Sequence, residues 1–439
     1  MRKLTTWLNA FVLIIAFILP PAFVDAQPTN RGGDVRIGAE HLSIDQAYKL
    51  ARQNYPLIKQ RDLVTKTREY TITNAARGYL PALNINGQAT YQSDVTNIPF
   101  KIPGVNIPQF SKDQYKIYGE VDQVIYDGGV IKNQKESARA NEEIQQQNIE
   151  VELYALYDRV NQLFLGALLI DEQLKQNDLL KKDIQNGIDK SKALVANGTA
   201  FRSTVDELQA QLLTTDQARV ELEANRKAYI EMLGLFINKP ADLIVLEKPA
   251  PPAIADVVTR PELTYYDFQK RAYDVQEDLL KTQLRPKFNF FVQGGYGRPG
   301  LNMFSNDFEW YYIGGLRLIW NLGSLYTLHN QKQILGLNRD MLDVQKETFL
   351  FNSQVTMKQQ NADVKKYMEL LNKDDEIIAL RESVKTASSA QLENGVLSAH
   401  DYVTEVNAED EARQGRILHE VQLLQAQYNY QNTMGNIKN

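Results

Sequence analysis

The sequence predicts a mainly α-helical fold with membrane-type β-strands, made from one unit repeated twice. Three observations predict it. Long stretches lack proline: none of the 15 prolines lies between Pro108 and Pro240 or after Pro299. Short segments alternate apolar and polar residues over about ten positions, as half-buried or barrel strands do. A set of landmarks recurs in one order about 200 residues apart.

The chain opens with Arg2 and Lys3, an apolar run Phe11 to Leu19 broken at Pro20 and Pro21, and small residues around Val24-Asp25-Ala26. This reads as a signal peptide over residues 1–26, with the mature chain starting at Gln27. The run is too short to span a bilayer as a helix. No other stretch approaches the ~20 apolar residues a membrane helix needs, so a membrane crossing would have to be made by strands. With no cysteine there is no disulfide, thiolate metal site or lipidated cysteine. The net charge is −5, and basic residues are scattered, which gives no electrostatic footprint for nucleic acid.

The first unit, residues 27–237, reads as a helix, a strand hairpin over 81–127 and long helices over 130–196 and 200–236. A Pro-rich segment with Pro240, Pro249, Pro251 and Pro252 makes residues 238–260 a linker. The second unit, residues 261–439, repeats the plan: a helix, a hairpin over 286–321, and helices over 324–393 and 398–435. A 67-residue helix is about 100 Å long, more than a compact globular domain needs. Ile334, Leu337, Met341, Val344, Thr348, Phe351 and Val355 step alternately by three and four, and so do Leu153, Tyr157, Val160, Phe164 and Ala167. This is the seam of a coiled coil, and it also fits an amphipathic helix in an ordinary bundle.

The repeat is carried by Pro56/Pro81 against Pro261/Pro286. It continues with Leu83-Asn84-Ile85 against Phe288-Asn289-Phe290, and Ile125-Tyr126-Asp127 against Ile319-Trp320-Asn321. Asn197-Gly198 matches Asn394-Gly395, and Leu233-Gly234 matches Met434-Gly435. Asn and Gly accept the left-handed conformation that ends a helix, so the two Asn-Gly pairs mark helical turns.

In the first hairpin Leu83, Ile85, Gly87, Ala89 and Tyr91 alternate with Asn84, Asn86, Gln88, Thr90 and Gln92. Trp310, Tyr311, Tyr312 and Trp320 stand at strand ends, where an interfacial aromatic belt would lie. A soluble sheet with one face on a core would show the same alternation. If the strands enter lipid, four cannot close a barrel, and several chains must share one. The Pro-containing segment Ser93 to Asp113 would then be an outer loop.

No catalytic pattern is present. His41, His329, His400 and His419 lack metal-ligand spacing. Gly295-Tyr296-Gly297-Arg298-Pro299-Gly300 matches GxGxxG but leads into a loop rather than a helix, so it reads as a hairpin tip. The sequence therefore predicts no enzyme and no cofactor.

The duplicated plan, the Asn-Gly turns and the paired hairpins resemble the TolC family of outer-membrane factors over roughly Leu42 to Gly435. The local markers are Leu80-Pro81-Ala82-Leu83 and Arg285-Pro286 at strand entry, Tyr126-Asp127-Gly128-Gly129 at strand exit, and Asn394 to Asp401 at the tip. The resemblance implies a homotrimer in the outer membrane of a Gram-negative cell. Three chains would share a twelve-stranded barrel in outer-membrane lipid, above a periplasmic tunnel of twelve helices. It implies a passive duct of tripartite efflux or type I secretion, docking a periplasmic adaptor (membrane fusion protein) and an inner-membrane transporter through the turns Asn197-Gly198 and Asn394-Gly395. It also places Asp401 at an aspartate position of the family's constriction, Thr404 where the family has a second aspartate, and Leu397 where it has a closing arginine. By spacing alone Asp401 is equally a first-turn carboxylate of a helix, and Asp206 is offset by two positions from the corresponding place. A periplasmic coiled-coil scaffold or adaptor without a barrel is the alternative reading.

Overall fold

A computed structural model describes residues 40–95, 111–253, 257–303 and 305–435. The signal peptide read over 1–26 lies outside the described residues, as does most of the loop read over 93–113.

The chain begins with a short strand β1 (Glu40–Leu42) and helix α1 (Ile44–Asn54), started by a capping box between Ser43 and Gln46. Pro56 opens a single 3₁₀ turn, and α2 (Gln60–Arg77) follows. Strands β2 (Ala82–Tyr91) and β3 (Asp113–Tyr126) form the first hairpin. The Asp127 carboxylate then accepts from Gly129 N at 2.8 Å and Ile131 N at 2.6 Å. Gly128 and Gly129 sit at φ 74° and 89°, a region open to glycine, and the strand turns directly into a helix. The second unit does this with Asn321, whose side chain accepts from Gly323 N at 3.1 Å.

The helix expected over 130–196 is divided at Ala155 into α3 (Val130–Tyr154) and α4 (Leu156–Ala196). Ala155 keeps right-handed helical angles, φ −63° and ψ −15°, so the interruption is one residue long, and Leu153, Tyr154, Leu156 and Tyr157 are buried on both sides of it. Helix α5 (Arg202–Ile237) closes the first unit on Asn238 at φ 56°. The described residues of the linker, 238–253 and 257–260, are strapped to both units. They form β4 (Ile244–Leu246), parallel to β1, and Tyr428 Oη donates to the Ala250 carbonyl at 3.0 Å.

Pro261 starts α6 (Pro261–Thr282), followed by β5 (Lys287–Arg298) and β6 (Glu309–Ile319). Helix α7 (Leu325–Glu393) runs unbroken for 69 residues, and α8 (Ala399–Met434) returns beside it. At 1.5 Å per residue α7 is about 100 Å long. The fold is thus mainly helical with a small antiparallel sheet of order β2-β3-β5-β6. No described helix is long and apolar enough to cross a membrane.

Apolar packing concentrates at separate levels. The largest core joins Ile44 and Tyr48 of α1 to Tyr157, Val160 and Phe164 of α4, Leu233 of α5 and Tyr428 of α8. A second core joins the far ends of α4, α5, α7 and α8 through Ile184, Ile188, Leu208, Leu392, Tyr402 and Val406.

Candidate membrane sheet and helical tip

The alternation of the strands becomes two unlike faces. In register, Leu83, Val121, Val292 and Gly314 form one row, Ile85, Gly119, Gly294 and Tyr312 the next, and Gly87, Ile117, Tyr296 and Trp310 a third. This face is apolar and open: Leu83, Ile85, Ile117, Leu316 and Leu318 are all exposed. No described helix covers it.

Aromatic rings gather at both ends of the apolar face. At the loop end Tyr296 lies 5.0 Å from Trp310 and 5.5 Å from Phe308, centroid to centroid. Trp310 and Tyr312 are 82% and 81% exposed there. At the helix end Tyr126 lies 6.4 Å from Phe288, and Trp320 donates its indole N–H to the Leu284 carbonyl at 2.9 Å. Ten residues separate Trp310 from Trp320, about 33 Å along a strand, or about 23 Å in height at a 45° tilt. That is the height of the apolar band of an outer-membrane barrel. Tyr311 departs from the belt expected of 310–312: successive side chains of a strand point to opposite faces. It stands on the polar face, against Gly295, where a Cβ would meet Tyr311 at 2.9 Å and Tyr118 at 2.5 Å.

The opposite face is polar. Arg317 of β6 reaches across β5 to Glu120 at 3.1 Å and Asp122 at 3.2 Å on β3, and stacks 4.5 Å over the Phe291 ring. Gln293 donates to Glu120 at 2.8 Å. The sequence reading missed this cluster, since residues almost 200 positions apart make it. Each outer strand of the sheet, β2 and β6, has one edge that no described strand pairs.

At the other end of the molecule the two Asn-Gly turns have one geometry. Gly198 N donates to Val195 O and Thr199 N to Leu194 O, both at 3.0 Å. Gly395 N donates to Leu392 O at 3.0 Å and Val396 N to Gln391 O at 2.9 Å. This is the Schellman ending, with glycine left-handed just past the cap. Asn197 and Asn394 are the cap residues, and Phe201 and Val396 are exposed beside the turns.

Asp401 is exposed at the third position of α8. Its N–H donates to Ser398 Oγ at 3.1 Å, and the Ser398 hydroxyl donates to its carboxylate at 2.7 Å. Thr404, one turn on, donates to the His400 carbonyl at 2.9 Å. Leu397 packs against the tip core, so it is a core-facing residue of the turn. Asp206 is exposed near the start of α5.

Above the tip lies an ionic network invisible to motif reading. Lys385 of α7 bridges Asp183 of α4 at 2.9 Å and Glu409 of α8 at 3.3 Å, and Arg413 also holds Glu409. Burial alone would push the Lys385 ammonium down. The hydrogen bond and charge of Asp183, with the charge of Glu409, outweigh burial and hold it above its ordinary range. Beside it, burial raises the Asp410 carboxyl, although the Gln176 and Gln414 amides donate to it at 2.9 and 2.8 Å. Among the described residues no cluster of His, Asp and Glu could hold a metal ion.

Comparison with known proteins agrees with this architecture. Residues 47–234 match the family model described as outer membrane efflux protein. No curated protein matches the chain. Its fold is similar to the outer membrane protein VceC of Vibrio cholerae, with TM-score 0.62 and 12% identity over 89% of this chain and 96% of that one. It is similar to the CmeC outer membrane channel of Campylobacter jejuni, with TM-score 0.59 and 12% identity over 89% and 85%. It is also similar to the MtrE outer membrane channel of Neisseria gonorrhoeae in its open state, with TM-score 0.60 and 12% identity over 89% and 88%. At these identities the likeness is one of fold. The family match lies in the first unit, and the fold shared with solved outer-membrane channels extends across both units.

Proposed function

We propose that this chain is the outer-membrane channel subunit of a tripartite efflux or type I secretion system, a passive duct for small molecules or proteins. The observation that carries the proposal is the sheet: one face apolar but for Gln123 and with no described helix over it, the other carrying the Arg317, Glu120 and Asp122 cluster, and both edges unpaired among the described strands. Water would not tolerate the first face, and lipid would not tolerate open edges. Copies of the chain that close a common barrel satisfy both. Three copies give twelve strands and put the Arg317, Glu120 and Asp122 face on the lumen.

The long helices then form a tunnel on the periplasmic side, ending at the Asn-Gly turns. Those turns, with exposed Phe201 and Val396, are the surface offered to a periplasmic adaptor, which couples the duct to an inner-membrane transporter. Asp401, with Thr404 behind it, lines the constriction, while Leu397 helps hold the turn in place. A periplasmic scaffold has no use for an uncovered apolar sheet face between two aromatic belts. The chain's own part is to enclose and select, and nothing in the proposal requires bond-making chemistry.

Cell fractionation and planar-bilayer recording test this proposal. The protein is expected in the outer-membrane fraction and, once purified, to give discrete conductance steps. Recovery from the soluble periplasm, or a silent bilayer, would sink the channel proposal.

A further inference from the structure

A cleft opens along α1, against the junction of α3 and α4 and the 3₁₀ turn that follows α1. Its volume is about 580 Å³, within the range of sites that enclose a small molecule. Its floor is apolar and aromatic. Tyr48 and Tyr157 are both 4% exposed and meet edge to face, 4.8 Å between ring centroids, and half-buried Ile58 closes one side. The Tyr48 hydroxyl donates to Asn161 Oδ1, so the contribution of Tyr48 to the cleft is its ring.

The rim is charged, and the charges do not balance. Asp45, Lys49 and Arg52 line it from one face of α1, spaced four and three residues apart. That sets one carboxylate against two cations. The Glu150 carboxylate of α3 does not restore the balance, because Arg52 and Arg61 both bridge to it. Burial and the adjacent Arg52 charge push the Arg61 guanidinium below its ordinary range, as expected where two cations crowd one carboxylate. Arg52 also has a structural role, since it lies in the last turn of α1, where a cation suits the helix end, and ties α1 to α3. Lys49 has no such role: it stands exposed at mid-helix and forms no ion pair with a described residue.

We infer that this cleft binds a small monocarboxylate with an apolar, ring-sized body, its carboxylate held between Lys49 and Arg52. Residues three apart on a helix hold their Cβ atoms about 5–6 Å from each other, close enough for an ammonium and a guanidinium to share one carboxylate. Hydrogen bonds from charged donors to a charged acceptor are the strong ones. The body of the ligand then covers Tyr48, Tyr157 and Ile58, against which a fully hydrated anion such as phosphate would lose water without gaining partners. Asp45 defines the other end of the cleft. It lies seven residues before Arg52, about 10 Å along the helix, and repels a second negative charge placed there. Tyr157 stands just past the interruption at Ala155 and Glu150 just before it, so a bound ligand braces α1 against that junction. The site lies within one copy and does not depend on the channel proposal.

The probe is 2-naphthoate, titrated by calorimetry into the full-length protein in nonionic detergent, with a protein-free titration subtracted to remove partition into micelles. One saturable site per chain is expected, with a micromolar Kd. Naphthalene-2-methanol carries the body without the charge, and acetate the charge without the body; each should bind at least about tenfold more weakly. Lys49→Gln should weaken naphthoate binding about tenfold, the worth of one charge-assisted hydrogen bond, and Lys49→Arg should keep it. Ile58→Trp, which fills the cleft, should abolish it, with folding checked by helical circular dichroism. Naphthalene-2,6-dicarboxylate should be refused by the unmodified protein and accepted by Asp45→Asn. The site would be overturned by absence of saturable naphthoate binding up to millimolar concentration, or by equal binding of the uncharged alcohol. Binding indifferent to Lys49→Gln, or to a folded Ile58→Trp variant, would overturn it as well. If Ile58→Trp does not fold, the two Lys49 variants decide alone, because Lys49 is exposed and packs against no core. A dicarboxylate that binds the unmodified protein as tightly as naphthoate would overturn the selection for a single charge.

Discussion

Asp401 stands where two roles overlap, a helix cap and a proposed pore charge, and one substitution separates them. Asp401→Asn keeps an oxygen that can accept from Ser398 but removes the charge. Because the residue is exposed, the stability change should stay within about 0.5–1 kcal/mol, the worth of a first-turn carboxylate. If Asp401 lines the constriction, cation preference in a bilayer weakens while Tm barely moves. An unchanged preference would reduce Asp401 to a cap. Asp410 carries a different prediction. Burial raises its carboxyl. A raised group contributes stability that is complete below the ordinary carboxyl range and is lost as pH rises through the higher folded value. Asp410→Asn removes that loss, and the Gln414 amide can turn to donate or accept as the new side chain requires. The variant should melt higher than the unmodified protein near pH 7.5, and the gap should narrow toward pH 4. An equal fall in Tm at both pH values would show that the charged carboxylate is the stabilising form. Lys385→Met should cost about 2–3 kcal/mol, because Asp183 and the almost fully buried Glu409 lose a partner while Arg413 remains. Denaturant titration of the purified protein measures it.

At the scale of elements, the strand alternation decides which substitutions the sheet accepts. Leu316→Arg puts a charge at mid-height on the apolar face and should cost about 2–4 kcal/mol, read as loss of membrane-inserted protein. Gln88→Arg, on the polar face, should insert normally. If both variants insert equally, the apolar face does not meet lipid. Much of the fold was legible in the sequence for the same reason: a period of two reports a two-faced strand, and proline-free stretches with Asn-Gly ends report helices. The one-residue interruption at Ala155 was not legible, because no Gly or Pro marks it and the backbone there keeps helical angles. Nor were the ion clusters. The structure gives the signal that could have found them: Arg317 to Asp122, Lys385 to Asp183, Gln211 to Asn407 and His400 to Glu207 are 193 to 202 residues apart. That is the offset of the duplication. Two like units packed side by side bring near-equivalent positions together, so complementary polar residues at the repeat offset are candidate contacts. Tyr311 shows the limit of reading composition alone, since a cluster of three aromatics on a strand cannot all belong to one belt.

For the whole molecule, the question is which parts one chain can stabilise by itself. The helical cores are internal: Phe164, Leu233, Ile184 and Leu208 are fully buried within one copy. The sheet differs, because Leu83, Ile85, Ile117, Leu316 and Leu318 face outward with none of the described residues packed over them. Burying five such side chains is worth on the order of 10 kcal/mol. That is as large as the whole stability of an ordinary domain. The chain alone gains the helical part of the fold, while under the channel proposal lipid and neighbouring copies supply what the sheet lacks. Unassembled protein kept free of lipid and detergent should therefore retain its helical circular dichroism, yet be cut by protease within 82–126 and 287–319. Reconstitution into vesicles should protect both hairpins together, since β3 and β5 pair with each other and neither hairpin can complete the sheet alone. Protection of the hairpins in the lipid-free monomer would mean that the apolar face is stable in water, and the case for a shared membrane barrel would lose its main physical support.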